Sequence, residues 1–399
     1  MLEDMKVLSF THFVQGPAAA QYLADMGADV IKVEPLNGAF ERSYGADDVF
    51  VDGLSATFFS VNRNTRSISV DLKSERGKEV IFSLIRDADV LLENYRGGVL
   101  ERLGFGYEAI KAVKPDIIYA SASGWGSSGP MAEMPGQDLL IQARCGLIAI
   151  TGNRETAPTV PGAPIVDQHA AALMAMAINA AYIKKLKTGQ GTRIESNLLN
   201  AGLDLQTESF AGYYSGNRTS DRFRRDPRLA SWFLPAPYGV YQLADCHAVI
   251  SLGGEVGRFA EAIGNPELVA LSADRMANRD AITKILGEEL KNWTYERLDR
   301  TLAPLSMWYE KVQDYDAIRK DPQVLHNQCI QQFDVGKGVG TVLAHPIRYD
   351  GAAPEFRRLP IEIGCDTREV LQGAGWSEDA ITSLAREGIV NLGLRRETA

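Results

Sequence analysis

Residues 6–34 read KVLSFTHFVQGPAAAQYLADMGADVIKVE, and this stretch decides the fold class. Lys6 to Phe10 is a short apolar run suited to a buried strand, and Pro17 to Met26 is an Ala-rich helix whose proline sits in the first turn, where its missing N–H costs nothing. Gly27 to Glu34 supplies a turn and a second strand, so the whole is a βαβ unit. Glu34 ends that strand roughly where a ribose-binding acid stands in a dinucleotide fold. The glycines exclude that reading, because VQGPAAA offers Gly16 alone and no G-x-G-x-x-G.

Outward from this unit the alternation continues. A strand ISVDLK ends at Lys73, a helix runs from about Glu75 to Asp87, and strands follow at Asp89–Asn94 and Asp116–Ala122. A helical run LLIQARCGLIAI is opened by Pro135-Gly136-Gln137-Asp138. Strands separated by helices predict an α/β fold with a doubly wound, largely parallel sheet, a Rossmann-like large domain. From Gln168 to Ile183 no residue carries a full charge, barring a protonated His169, and Ala, Leu and Met dominate. Such a helix is apolar on nearly all sides and belongs in a core. Lys184, Lys185 and Lys187 complement the negative end of its dipole, Gly189 suits the stop, and Asp167 is placed as its N-cap. His169, two positions further on, faces another side and reads as a core or interface residue.

The chain of 399 residues is long enough for two domains, with an ordinary 45% hydrophobic and 23% charged composition. A net charge of −9 argues against nucleic acid or an anionic membrane as partner. The longest uncharged run contains Asn179 and is too short to span a bilayer. Cys145, Cys246, Cys329 and Cys365 are scattered without C-x-x-C spacing, which suggests neither zinc nor a disulfide framework. MLEDM leads directly into a strand, with no signal peptide, and a cytoplasmic protein is expected. The texture changes after Asn200. The expected organisation is residues 1–205 as a large domain, 206–237 as a linker, 238–322 as a small α+β domain, and 323–399 as a return to the large domain. In the small domain a hairpin over Tyr238–Gly254 precedes helical runs at Val256–Ala262, Arg279–Lys291 and Tyr295–Leu302.

Taken in order, the motifs resemble the family III CoA-transferases, which include formyl-CoA transferase, carnitine CoA-transferase and the α-methylacyl-CoA racemases. They are Gly16-Pro17, Leu23-Ala24-Asp25, Gly27 through Glu34, Asn62-Arg63-Asn64, Asn94-Tyr95-Arg96-Gly97, Arg102-Leu103-Gly104, Ser123-Gly124-Trp125-Gly126 and the Asp167 helix followed by K-x-G-x-G. Tyr95 replaces the usual Phe, and Gly98 follows Gly97 where Pro-Gly is commoner. The resemblance spans essentially the whole chain and is densest over residues 6–200.

The resemblance implies that Asp167 is the catalytic carboxylate, a covalent nucleophile toward a thioester. A capping role alone is the plainer reading of that residue type. Gln15 matches an active-site glutamine, Asp138 is placed to orient nucleophile or substrate, and Gly253-Gly254 corresponds to a flexible glycine loop over the site. Arg42, Val70, Lys73, Asn94, Tyr95, Arg96 and Arg102 are implied in holding CoA; Arg and Lys suit its phosphates. Gln137, Arg222 and Arg225 are the substrate-side residues, the last two within an arginine cluster suited to the second carboxylate of a dicarboxylic acid. CoA thioesters are then substrates, with no permanently bound cofactor and no metal, and the chain is expected to form an interlinked homodimer. A racemase working by α-proton transfer and a non-catalytic acyl-CoA-binding module are the alternatives. Racemases carry a His where Gln137 stands, and an amide cannot exchange a proton with carbon; Asp167, its pKa held low by the helix N-terminus, is a poor base for an α-proton.

Overall fold

The computed structural model describes residues 1–153, 155–156, 158–251 and 253–393. The opening unit is β1 (Lys6–Phe10), α1 (Gln15–Asp25) and β2 (Asp29–Glu34). β3 (Arg66–Val70), β4 (Val90–Glu93), β5 (Ile118–Ser123) and β6 (Thr192–Asn197) extend the sheet in parallel, and β7 (Val390–Asn391) closes it against β3, antiparallel. The order is β7-β3-β2-β1-β4-β5-β6, so strand order reverses direction between β1 and β4. In open α/β sheets ligands bind at the carboxyl ends of the strands at such a switch point.

Both faces of the sheet are covered. Val7, Val30, Leu92 and Ala120 point to one face and pack with Ala19 and Leu23 of α1 and with Ala171, Met174 and Ile178 of the long helix Ile165–Thr188. Leu8, Phe10, Ile68 and Leu91 point to the other and pack with Val80 and Ile81 and with Val370, Leu371 and Leu384 from the C-terminal helices. The period-two alternation of each strand thus feeds two cores. β6 escapes a reading of the sequence because TRIESN offers Ile194 as its only apolar residue; it is an edge strand with an exposed, charged side.

The chain divides into two units, the first being Met1–Ile141, Pro164–Gly202 and Pro322–Ala399 and the second Gln142–Ala163 and Leu203–Asp321. Residues 206–237, expected as a linker, instead build the second unit: Leu229 and Ala236 sit in its core, and buried Trp232 donates to Ser209 at 2.8 Å. Residues 142–163 also belong there. Its antiparallel sheet orders Tyr309–Lys311, His247–Ile250 and Gly239–Gln242, and the helices Val256–Ile263, Arg279–Leu290 and Tyr295–Leu302 stand where the sequence puts them. Among the described residues no helix is long and apolar enough to cross a membrane. The four cysteines are free thiols.

Candidate active site

Two helices order the site. α2 (Asp138–Arg144) follows the loop after β5, and α3 (Ile165–Thr188) is the long Ala/Met helix that leads into β6. Near the end of α3, Lys185 pairs with Asp89 at 2.8 Å and Asp116 at 3.0 Å, residues that precede β4 and β5. The tail of α3 is therefore at the amino edge of the sheet and its head, with Asp167, is at the carboxyl edge. α1 runs the same way beside it, because it joins two parallel strands.

Asp167 is not the N-cap. α3 begins at Ile165 with Pro164 as cap, and Asp167 is a first-turn residue. The capping is done from outside, by Asp138, whose Oδ1 accepts the N–H of Val166 at 2.9 Å and of Asp167 at 3.0 Å. With Gln168 N–H bonded to Pro164 O, these first-turn amides are already engaged and do not serve as an oxyanion hole. Asp138 is held in turn by a backbone contact: a Cβ on Gly124 would stand 2.5 Å from Gly136 Cα, so only glycine fits at both positions. Trp125 Nε1 donating to Pro135 O at 3.2 Å and Leu199 N–H to Gly124 O at 3.1 Å hold the same loop. The S-G-W-G loop is thus a clamp that sets Asp138 against α3.

This arrangement overturns the expectation of a low Asp167 pKa. Burial, and next the Asp138 carboxylate, push the Asp167 carboxyl up to about 7. The helix dipole acts the other way, but its nearest donors are spent on Asp138. The carboxylate is then more basic, which favours attack on a carbonyl, and one of the two arguments against α-proton chemistry loses its ground. The other stands: Gln137 is exposed and its amide has no acid–base function.

At the head of α1, Gln15 is buried, and its Nε2 has no hydrogen-bond partner. A buried orphan donor at the switch-point edge is what a ligand acceptor would satisfy. Asn94 clasps the same edge, its Oδ1 accepting from His12 N–H and its Nδ2 donating to His12 O, both at 2.9 Å. Its amide therefore holds the β1–α1 loop. The Tyr95 ring lies 5.3 Å from His12, half-buried, while Lys73, Arg96 and Arg102 are exposed.

Other expected site residues need correction. Arg42 is buried against Glu34, with Nε and Nη2 on its two oxygens at 2.6 and 2.7 Å, and two further bonds go to Ile361 O and Pro360 O. It is a strut, and Glu34 is equally committed. Val70 lies wholly inside the core behind β3. Arg225, in the second unit, is buried and spends its guanidinium on the carbonyls of Leu229, Phe223, Ile150 and Ala230, whereas Arg222 is exposed. The Gly253-Gly254 pair is backed by the Trp308 indole and by the Ser306–Met307 backbone, where any Cβ would collide, so close packing and not looseness explains both glycines.

Residues 2–367 match the description of CoA-transferase family III. The chain belongs to this family. It is 31% identical to the succinyl-CoA:glutarate CoA-transferase of Mus musculus, over 98% of this chain and 90% of the mouse protein. It is 34% identical to the acetyl-CoA:oxalate CoA-transferase of Acetobacter aceti, over 72% and 74%. A crystal structure of a CAIB/BAIF family protein from Brucella suis superimposes with a TM-score of 0.76 at 28% identity, covering 92% of this chain and 98% of that one. In this family III transferase a first prediction follows from the Asp138–Asp167 pair. If the Asp167 carboxylate reacts, kcat/KM rises with pH through about 7, and at a pH lower by one than that value about tenfold of the rate is lost. Asp138→Asn should move the inflection to lower pH, leaving the contribution of burial. A profile unchanged by Asp138→Asn excludes the coupling.

Proposed function

We propose that this CoA-transferase moves CoA from an acyl-CoA to a dicarboxylic acid through covalent intermediates on Asp167. The observation that carries the proposal is the Asp138-capped head of α3, which presents a half-buried carboxyl at the carboxyl edge of the sheet, pushed up to about 7 by burial and by Asp138. Asp167 attacks the thioester carbonyl, giving a mixed anhydride and CoA thiolate. The thiolate attacks the aspartyl carbonyl of the anhydride, expelling the donor acid and leaving an aspartyl-CoA thioester. The acceptor carboxylate attacks that thioester, and the released thiolate then takes the acceptor acyl group, regenerating Asp167. Exclusion of water preserves the energy-rich intermediates. Gln15 Nε2 serves as a donor to developing oxyanions, in place of the spent amides of α3.

Glutarate and oxalate, in the names of the two relatives, are dicarboxylates, and this supports a dicarboxylate acceptor. A homodimer is supported by α3, which leaves Met176, Ile183 and Leu186 at least half exposed in the single chain, a face a second copy would cover. The free thiols fit the reducing cytoplasm. The test is mass spectrometry of CoA esters after offering succinyl-CoA or acetyl-CoA with a panel of mono- and dicarboxylic acids, run in deuterium oxide with a 2-methylacyl-CoA as control. Transfer to a dicarboxylate without α-deuteration is expected. Rapid α-exchange without transfer to any acid would reverse the assignment.

A further inference from the structure

Glu93 is the last residue of β4, at the switch point, and lies immediately before Asn94-Tyr95-Arg96. Its Oε2 accepts the Tyr95 N–H at 2.9 Å, and its carboxyl is also hydrogen-bonded to the Ser121 side chain on β5. With Asn94 clasping His12, one turn ties together the carboxyl ends of β1, β4 and β5. Glu93, Tyr95 and Arg96 share a cavity of about 190 Å³. The other charged groups facing it are Glu101, Arg193 and Glu195; the last two pair with each other at 3.0 Å, and Ser127 donates to Glu195 at 2.8 Å.

We propose that Glu93 is a positioning residue for CoA, fixing the Tyr95–Arg96 turn and taking up a proton when the CoA phosphates dock beside it. The inference rests on the reading of Arg96 as a CoA-binding residue. An anion brought near a carboxyl favours its protonated form. Burial already raises Glu93 to about 7, with Glu101 adding to the rise against the Ser121 and Tyr95 bonds. The proton is thus exchanged at neutral pH and not far outside it. By linkage, CoA binds more tightly as pH falls through the interval between the free and the CoA-bound pKa of Glu93, and is indifferent to Glu93 on either side.

The test is calorimetry of CoA binding to the full chain at pH 7.5 in two buffers of different protonation heat. The wild type should take up about half a proton more than Glu93→Gln, for a carboxyl whose pKa rises by about one on binding CoA. Glutamine keeps an acceptor for the Tyr95 N–H but holds no exchangeable proton there. The 3′-phosphate of CoA, with a pKa of about 6, contributes alike to both proteins and cancels. Equal proton uptake in the two overturns the inference. Glu93→Ala should raise the KM for acyl-CoA more than it lowers kcat, because the turn loses its tie. Arg96→Ala should weaken CoA by roughly tenfold to a hundredfold. Unchanged CoA affinity in that variant removes the underlying reading, and Glu93 with it. Weakened CoA together with an unaltered proton count in Glu93→Gln removes the Glu93 inference alone.

Discussion

Asp167→Asn is expected to lose CoA transfer by at least about a thousandfold, as removal of a covalent nucleophile does, and at the same time to yield a more stable protein. The two effects have one cause. Burial and Asp138 raise the Asp167 carboxyl from 3.8 to about 7, so ionising it in the folded state is unfavourable. A raised folded pKa in an acid means that stability is lost as pH rises from the unfolded value to the folded one. The loss is complete above about 7 and absent below about 4. Every tenfold change in the acid's dissociation constant is worth about 1.4 kcal/mol, so asparagine can return up to about 4 kcal/mol at pH 8. Urea titrations of both proteins at pH 4, 6 and 8 would show the gain growing with pH. A residue that merely caps α3 behaves in the opposite way, since its removal destabilises by about 1 kcal/mol at neutral pH. Incubation of wild type with acyl-CoA and hydroxylamine should leave a hydroxamate on Asp167 and none in Asp167→Asn. Full activity in that variant, or a loss of stability at pH 8, would end the case for Asp167 as nucleophile.

The parts of this site legible in the sequence are those where residue type and local backbone coincide. Alternating apolar runs place five of the six parallel strands, because buried strands are written in Val, Ile and Leu; β6 is lost because an edge strand needs only one such residue, Ile194. Asp167 is visible as the acid heading a long Ala/Met helix. Its true setting is not, because the cap comes from Asp138, 29 residues upstream, and no local rule announces a cap supplied across the fold. The same blindness affects the arginines. Arg42 and Arg225 have the composition of ligand-binding residues, but the folded backbone consumes each: Arg42 goes to Glu34 and to the distant carbonyls of Pro360 and Ile361, and Arg225 to carbonyls of its own loop and of Ile150. Glu93 attracts no notice in sequence, since it is one acid ending one strand. Its significance arises from burial beside Ser121 and from the turn that follows it.

Asp25→Ala should cost about 3–5 kcal/mol of folding stability, the second large effect, while leaving CoA transfer in place. Asp25 closes the Leu23-Ala24-Asp25 motif at the tail of α1 and is almost wholly buried. Arg63 binds it with Nε, at 3.0 and 3.1 Å from the two oxygens, and with Nη2 at 2.6 Å. Asn64 Nδ2 donates to Oδ1 at 2.8 Å, and His345 Nδ1 lies 3.1 Å from Oδ2. Arg63 also donates to Leu343 O and Asn64 to Glu355 O, so the carboxylate is the hub through which residues far along the chain return to the large unit. Deleting it leaves a guanidinium, an amide and an imidazole buried together without their common acceptor. The penalty is that of orphaned groups and not of the pair itself. Asp25→Leu combined with Arg63→Met should therefore recover part of the loss, with the remainder belonging to Asn64 and His345. Urea midpoints of the single and double variants measure this directly. At temperatures where the folded state persists, kcat should stay within about tenfold of wild type, because Asp25 and Gln15 stand at opposite ends of α1. An Asp25→Ala protein as stable as the wild type would show that the hub is not needed. Equal losses in the single and double variants would show that the cost lies outside the Asp25–Arg63 pair.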